Sequence, residues 1–243
     1  PQIAEEGTAQ ELFEQIRQEK LQLVKEGKLK KSALTDSIIF KGDDNKYYEQ
    51  VGKSDKEITE EIAFDLPNGW SWCRLKDICS IFTGATFKKE ETVTTKEGVR
   101  ILRGGNISPF ELRIKDDDIF LTKDKVKEDI ILKENDILTP AVTSLENIGK
   151  MVRVNSDMPN TTVGGFVFII RLYLKNQWLS KYILYLLSSP FMIDFMKSIT
   201  NKSGQAFYNI GKERLSTALL PIPSLAEQHR IVAQIEKLFE QLR

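Results

Sequence analysis

Apolar positions recur at helical spacing near both ends of the chain, with short strand-like runs between them. Thr8 to Glu26 reads as a helix with Leu12, Ile16 and Leu23 on one face and Glu19 interrupting it. Thr8 and Glu11 have the spacing of a capping box, and Gly27 stands where a C′ residue ends a helix. Lys28 to Asp65 is polar, charged and poor in apolar periodicity. It is expected to be a connecting arm, wrapped on a surface or partly disordered. The globular body should begin at Leu66-Pro67-Asn68-Gly69-Trp70. Trp70, Trp72 and Arg74 alternate with Ser71 and Cys73 and predict a strand, and Leu75 to Phe82 predicts a short helix. Turns are expected at Thr83 to Thr86 and Thr95 to Gly98. Val99 to Leu102 predicts a strand that closes on a turn, Arg103-Gly104-Gly105-Asn106.

Further along, Ile130 to Lys133, Asp136 to Thr139 and Met151 to Val154 are short strand candidates. Val163 to Leu174 is the clearest core strand, with Gly164-Gly165 inside it at a bulge. Phe166 and at least one of Trp70 and Trp72 are expected in the core. Leu179, Ile183, Leu186 and Leu187, then Phe191 and Phe195, predict two helices divided at Pro190. Ser203-Gly204-Gln205 reads as a loop and Gly211 to Ala218 as a short helix. Pro221-Ile222-Pro223 then leads into a helix with Ser224 as N-cap and Glu227 as its capping-box partner. Ile231, Ile235, Leu238 and Leu242 follow at 4-3-4 spacing, the seam of a coiled coil. The seam is still running at the last residue, and residue 1 is Pro rather than Met, so a piece of a longer protein is expected.

The fold class predicted is α+β: a mixed, twisted sheet with short helices, flanked by coiled-coil-type helices. Four segments follow from the pattern. Residues 1–31 form a helical spacer segment, 32–65 a connecting arm, 66–220 a globular domain, and 221–243 the start of a second spacer helix.

Composition narrows the chemistry. The 243 residues suffice for one domain with a sizeable core, plus appendages. Lys plus Arg number 35 and Asp plus Glu 35, so net charge is zero and any basic face must be local. Cys73 and Cys79 read as buried, reduced thiols of a cytoplasmic protein, and the single histidine, His229, leaves too few soft ligands for zinc. No stretch approaches a membrane span, and no leader opens the chain. A phosphate-cradling G-x-x-x-x-G-K-[ST] is absent, as is a Gly-rich cofactor turn between strand and helix. Asp116-Asp117-Asp118 cannot all face one metal, so a solvated turn is favoured there over a metal site. No catalytic residue, cofactor or metal is expected.

Recognition remains. Arg and Lys pair bidentately with guanine, and Asn and Gln with adenine. Three loops carry such residues: Thr83 to Lys89, with Thr86, Lys88 and Lys89; Arg103 to Asn106, with Arg103, Gly105 and Asn106; and Asn201 to Asn209, with Lys202, Ser203, Gly204, Gln205, Tyr208 and Asn209. Taken alone, each reads more readily as an ordinary turn. Lys150 and Arg153 read as phosphate contacts or plain surface.

Several segments resemble a known family in the same order. "PIPSLAEQHRIVAQIE" is similar to the opening of the second spacer helix in type I restriction-modification specificity subunits. "TAQELFEQIRQEKLQLVKEGKLKK" resembles the segment before their second DNA-recognition domain. "FDLPNGWSWCRLKDICSIFTGATF", "ENDILTP" and "NIGKMVRV" resemble elements within that domain. The resemblance covers nearly the whole chain. It implies non-catalytic, sequence-specific recognition of double-stranded DNA, one half of a bipartite site, by the three loops. It also implies partners: methyltransferase subunits on the spacer helices and, through the complex, a motor-nuclease subunit. Self-association through the terminal helices is a further expectation. Two rivals stand beside it: a recognition module of a single-chain restriction-methyltransferase, and a coiled-coil assembly module that binds protein rather than DNA.

Overall fold

The computed structural model describes residues 3, 6–94, 97–204 and 206–242. In chain order its first elements are α1 (Ala9–Lys25), β1 (Ser37–Lys41), β2 (Tyr47–Val51), β3 (Ser54–Glu57), β4 (Ser71–Arg74), α2 (Leu75–Ile78), β5 (Cys79–Thr83), β6 (Thr92–Val93) and β7 (Val99–Leu102). There follow β8 (Ile107–Ser108), β9 (Glu111–Leu112), β10 (Ile119–Leu121), β11 (Ile137–Pro140), β12 (Val142–Thr143), β13 (Val152–Arg153), β14 (Thr161–Val163) and β15 (Val167–Leu172). The last are α3 (Gln177–Leu187), α4 (Pro190–Ser198), β16 (Thr200–Ser203), β17 (Phe207–Ile210), α5 (Lys212–Ser216), β18 (Leu219–Ile222) and α6 (Leu225–Gln241). This α+β chain divides into two compact units. One comprises residues 1–79, 173–182 and 216–243, the other 80–172 and 183–215.

In the first unit, α1 ends in a Schellman motif: the Lys28 and Gly27 N–H groups donate to the Leu23 and Val24 carbonyls at 2.9 and 3.1 Å, with Gly27 at φ +70. Its start differs from expectation. Thr8 is the N-cap but its side chain takes no capping bond, and the Ala9 N–H donates instead to the Gly69 carbonyl at 2.9 Å. The buried stripe is Ala9, Leu12, Ile16 and Lys20. Lys20 is only 1% exposed. Its ammonium pairs with the Asp36 carboxylate, donates to the Asp77 carbonyl at 3.4 Å, and lies 5.2 Å from the centre of the Tyr173 ring.

The segment expected to be an irregular arm contains an antiparallel meander, β1-β2-β3. Val51 pairs with Ser54 across a two-residue loop opened by Gly52 at φ 63. Arg74 anchors the meander to β4: its guanidinium grips both Glu49 oxygens at 3.1 and 2.6 Å and donates to the Thr217 carbonyl at 2.8 Å. β4 pairs with β18, where Trp72 stands opposite Pro221. Trp72 is buried, as expected of at least one of the two tryptophans. The helix expected from Leu75 to Phe82 stops at Ile78, and the chain continues as β5.

Ser224 caps α6 by accepting the Glu227 N–H at 3.2 Å, while the Glu227 carboxylate accepts the Trp70 indole N–H at 3.0 Å. The buried line of α6 is Gln228 and Val232. Of the expected seam, Ile231 and Ile235 are half-buried while Leu238 and Leu242 are exposed. Cys73 and Cys79 are buried and unpaired, and burial raises both thiols well above their ordinary range. Among the described residues no helix is long and apolar enough to cross a membrane.

The second unit holds two four-stranded sheets, β14-β7-β10-β6 and β13-β11-β15-β5. β14 runs parallel to β7, pairing Thr161 with Arg100 and Val163 with Leu102, whereas β10 and β6 are antiparallel. Val99, Ile101 and Leu102 of β7, Leu138 of β11, Val163 of β14, and Val167 and Ile169 of β15 meet in one apolar cluster. The run expected to be one long strand from Val163 is two strands joined by a turn at Gly165-Phe166. Phe166 is therefore not a core residue: it is 72% exposed. Leu132 makes an isolated bridge to Met158 rather than a strand at 130–133. The helix pair divides as expected, with Pro190 at the first position of α4 and Ser189 accepting the Met192 N–H at 3.4 Å.

Candidate DNA interface

Two glycines bring the first loop to the end of β14. A Cβ on Gly84 would lie 2.1 Å from the Val163 carbonyl oxygen, so only glycine permits this approach. The Ala85 N–H donates to the same carbonyl at 2.8 Å, and Ala85 bridges Gly164 in parallel. A Cβ on Gly165 would meet the Thr86 hydroxyl at 3.0 Å. Thr86, Lys88 and Lys89 are all exposed, and the Lys88 N–H donates to the Glu91 carboxylate at 2.7 Å.

The second loop leaves the end of β7 beside that turn, since the Gly164 N–H donates to the Leu102 carbonyl at 2.8 Å. Gly104 faces Pro140 at the end of β11, and Gly105 faces the Lys115 ammonium. Arg103 projects its guanidinium outward and reaches the Asp117 carbonyl at 3.2 Å. Asn106, expected to read a base, is 1% exposed and turned inward. Its Oδ1 accepts the Arg103 N–H at 2.8 Å, and its Nδ2 donates to the Arg113 carbonyl at 2.8 Å and to Asp118 Oδ1 at 2.6 Å. With both amide ends occupied, Asn106 shapes the turn and has no edge to offer a base. Asp118 departs equally from the expected solvated turn. Its other oxygen accepts the Lys115 N–H and an Arg100 guanidinium N–H, both at 2.9 Å. Burial pushes the Asp118 carboxyl up, but the Lys115 amide, Asn106 and Arg100 outweigh it and hold it below its ordinary value. Among the described residues no group of three His, Cys, Asp or Glu could hold a metal ion.

The third loop is a hairpin. β16 and β17 pair Asn201 with Asn209, Lys202 with Tyr208 and Ser203 with Phe207, and Gly204 turns at φ 76. β12 continues the sheet, with Val142 opposite Asn209 and Thr143 opposite Tyr208. Strand alternation therefore puts Asn201, Ser203, Phe207, Asn209 and Val142 on one face and Lys202, Tyr208 and Thr143 on the other. Asn209 and Phe207 are exposed, Tyr208 is half-buried and Thr143 buried. Gln205 lies outside the described residues. The hairpin joins the other loops through Phe166, whose carbonyl accepts the Ala141 and Val142 N–H groups at 2.8 and 3.4 Å. Thr86, Gly165, Phe166, Val142 and Asn209 thus form one continuous edge, beside Gly104 and Arg103. Of the two surface residues left open, Arg153 donates to the Asn135 side chain at 2.7 Å and Lys150 is half-buried. Sequence reasoning missed Phe166 and Val142. The double glycine before Phe166 was the available signal for a turn.

Residues 67–243 match the family described as type I restriction modification DNA specificity domain. The chain belongs to this family. It is 30% identical to the EcoAI type I restriction enzyme specificity subunit of Escherichia coli, over 99% of this chain and 37% of that protein. It is 25% identical to the EcoEI specificity subunit of Escherichia coli, over 96% of this chain and 36% of that one. The chain thus spans little more than a third of the length of these relatives. A structure described as the HsdS subunit from Thermoanaerobacter tengcongensis shares the fold at TM-score 0.51 and 23% identity, over 74% of this chain and 39% of that one. Another, from work on the assembly and conformational transition of the type I R-M system, does so at TM-score 0.55 and 21% identity, over 74% of this chain and 40% of the other.

Proposed function

We propose that this chain reads one half of a bipartite double-stranded DNA target for a type I restriction-modification complex. Methylation and cleavage would be performed by partner subunits. The observation that carries the reading is the edge where three separate loops converge on a rigid sheet end. It offers Thr86, Arg103, Ser203 and Asn209 beside lysines at positions 88, 89 and 115. Lysines fix register on phosphates, while amides, hydroxyls and arginine read base edges. Gln205 remains part of the proposed reading set, and Lys202 and Tyr208 fall to the flank. The chain itself is assigned no bond-making step and no cofactor.

The terminal helices are the proposed docking elements for methyltransferase subunits, through which a motor-nuclease subunit would join, or for a second copy of the chain. Leu238, Phe239 and Leu242 are exposed on the last turns of α6, which favours such a partner. The cytoplasm, where DNA is held, is the compartment this function requires.

The test is methylome sequencing of a host with and without the gene, followed by titration of the assembled complex against the identified duplex and a scrambled one. A bipartite motif lost with the gene supports the reading. Equal affinity for both duplexes refutes it and favours the protein-binding rival.

A further inference from the structure

We propose that Phe166 is a specificity-determining residue whose ring packs on the 5-methyl group of a thymine in the DNA major groove. The inference rests on the DNA-recognition reading and deepens it.

Phe166 stands in an apolar run, Val163 to Ile170, whose other large side chains are buried, yet it is 72% exposed. Its exposure is not slack. The Phe166 carbonyl accepts two N–H groups, the Val167 N–H closes the turn onto the Gly164 carbonyl at 2.9 Å, and the Gly164 N–H is tied to Leu102. The backbone is fixed on both sides, so the ring is held out on a rigid mount. Its place is the middle of the edge, between Thr86 of the first loop and Val142 beside the third.

The chemistry of that edge is otherwise hydroxyl, amide and cation. Those groups read donors and acceptors, but the thymine methyl is the one apolar mark in the major groove and needs an apolar partner. A rigid aromatic ring flanked by a threonine and a valine supplies it. Phe207, the other exposed ring on this face, belongs to the hairpin rather than to the turn, so its own variant shows which of the two rings meets the methyl group.

The experiment uses the complex assembled with its methyltransferase subunits and the target found by methylome sequencing. Each thymine of the half-site read by this domain is replaced in turn by deoxyuridine, which removes only the methyl group. Dissociation constants are measured for wild type, Phe166→Ala, Phe166→Leu and Phe207→Ala. One deoxyuridine position should weaken wild type about fourfold, the worth of one methyl group withdrawn from water. Phe166→Ala should bind that duplex and the thymine duplex equally, Phe166→Leu should keep part of the difference, and Phe207→Ala all of it. The melting temperature of Phe166→Ala should match wild type. Deoxyuridine sensitivity that survives in Phe166→Ala overturns the proposal, as does a wild type indifferent at every position or a half-site without thymine. A rise in 2-aminopurine fluorescence with no methyl effect overturns it in favour of a wedge between base pairs. Failure of the underlying reading looks different: wild type would not prefer the target over scrambled DNA.

Discussion

Asn106 offers the sharpest test of how the second loop is built. Replacing it with alanine strands three partners: the Arg103 N–H, the Arg113 carbonyl and Asp118 Oδ1, which it meets at 2.8, 2.8 and 2.6 Å. A hydrogen bond contributes about 1 kcal/mol net, and a buried partner left unsatisfied costs about 1–3 kcal/mol. Asp118 keeps its bonds to Lys115 and Arg100, so the full penalty should not fall on it. The sum is about 3–4 kcal/mol, a large share of the about 5–15 kcal/mol that holds a domain folded. Urea unfolding followed by circular dichroism reads this directly. Asn106→Asp adds a second arm. It keeps the shape but sets a carboxylate against Asp118, and two such groups must share a proton. Its penalty should therefore be largest at pH 7 and shrink as pH falls through the carboxylate range, while that of Asn106→Ala persists. A loss below about 0.5 kcal/mol for Asn106→Ala would refute the reasoning. So would equal pH dependence of the two variants.

Arg171 forks onto both Asp136 oxygens at 2.7 Å, yet burial still pushes the Asp136 carboxyl up, so Arg171→Ala should cost about 3–5 kcal/mol in thermal or urea unfolding. Gly84→Ala drives a methyl into the Val163 carbonyl and should cost at least about 1–3 kcal/mol by the same measurement, with cognate DNA affinity lost alongside. Burial pushes the Asp77 carboxyl up from 3.8 to about 6, so the folded state holds that proton more tightly than the unfolded one. The carboxylate then detracts from stability as pH rises through that window. Asp77→Asn should gain on wild type between pH 4 and pH 7, by at most about 3 kcal/mol, at about 1.4 kcal/mol per unit; a constant difference across that range would sink the argument. Arg103→Ala should weaken the cognate half-site by about 1–3 kcal/mol and scrambled DNA much less, in paired titrations.

What could be read from the sequence was what packing makes periodic. α1 and the α3–α4 pair each bury a largely apolar stripe, and their spacing announces it; α6 forms where its cap and spacing put it but buries Gln228 and Val232 rather than the expected seam. The meander does not, because β3 is Ser54-Asp55-Lys56-Glu57, exposed throughout, and Ile38 and Phe40 of β1 face outward. Its anchor is an ion pair, Arg74 to Glu49, which no periodicity betrays. Leu75, Ile78, Cys79 and Phe82 fit a helix as well as a helical turn followed by a strand, and tertiary pairing of β5 decided the matter. In the candidate site, loop positions were legible from Gly and amide content, but the direction of each side chain was not. Asn106 and Phe166 exchanged their expected roles: the amide is the buried one and the ring the exposed one.

That exchange bears on how, under the proposed reading, a chain of zero net charge would hold DNA. Much of its arginine is committed inward. Arg74, Arg100 and Arg171 pair with the buried or half-buried carboxylates Glu49, Asp118 and Asp136, and Arg230 pairs with Glu6. Each such pair cancels in the charge count and contributes nothing to a phosphate surface. It does fix the loops: Arg100 and Asp118 brace the turn that carries Arg103, and Arg171 ties β15, whose first turn carries Phe166, to the start of β11. Zero net charge thus conceals a division of labour. Buried arginine–carboxylate pairs set the geometry; in the proposed reading, the exposed lysines at positions 88 and 89 would supply the local positive field, and a small set of hydroxyls and amides with the Phe166 ring would discriminate. On that reading the isolated chain should bind non-specific DNA weakly, with a salt slope that flattens by about one unit for each lysine removed. Its affinity would then depend on assembly, and its selectivity on the rigidity that those inner pairs provide.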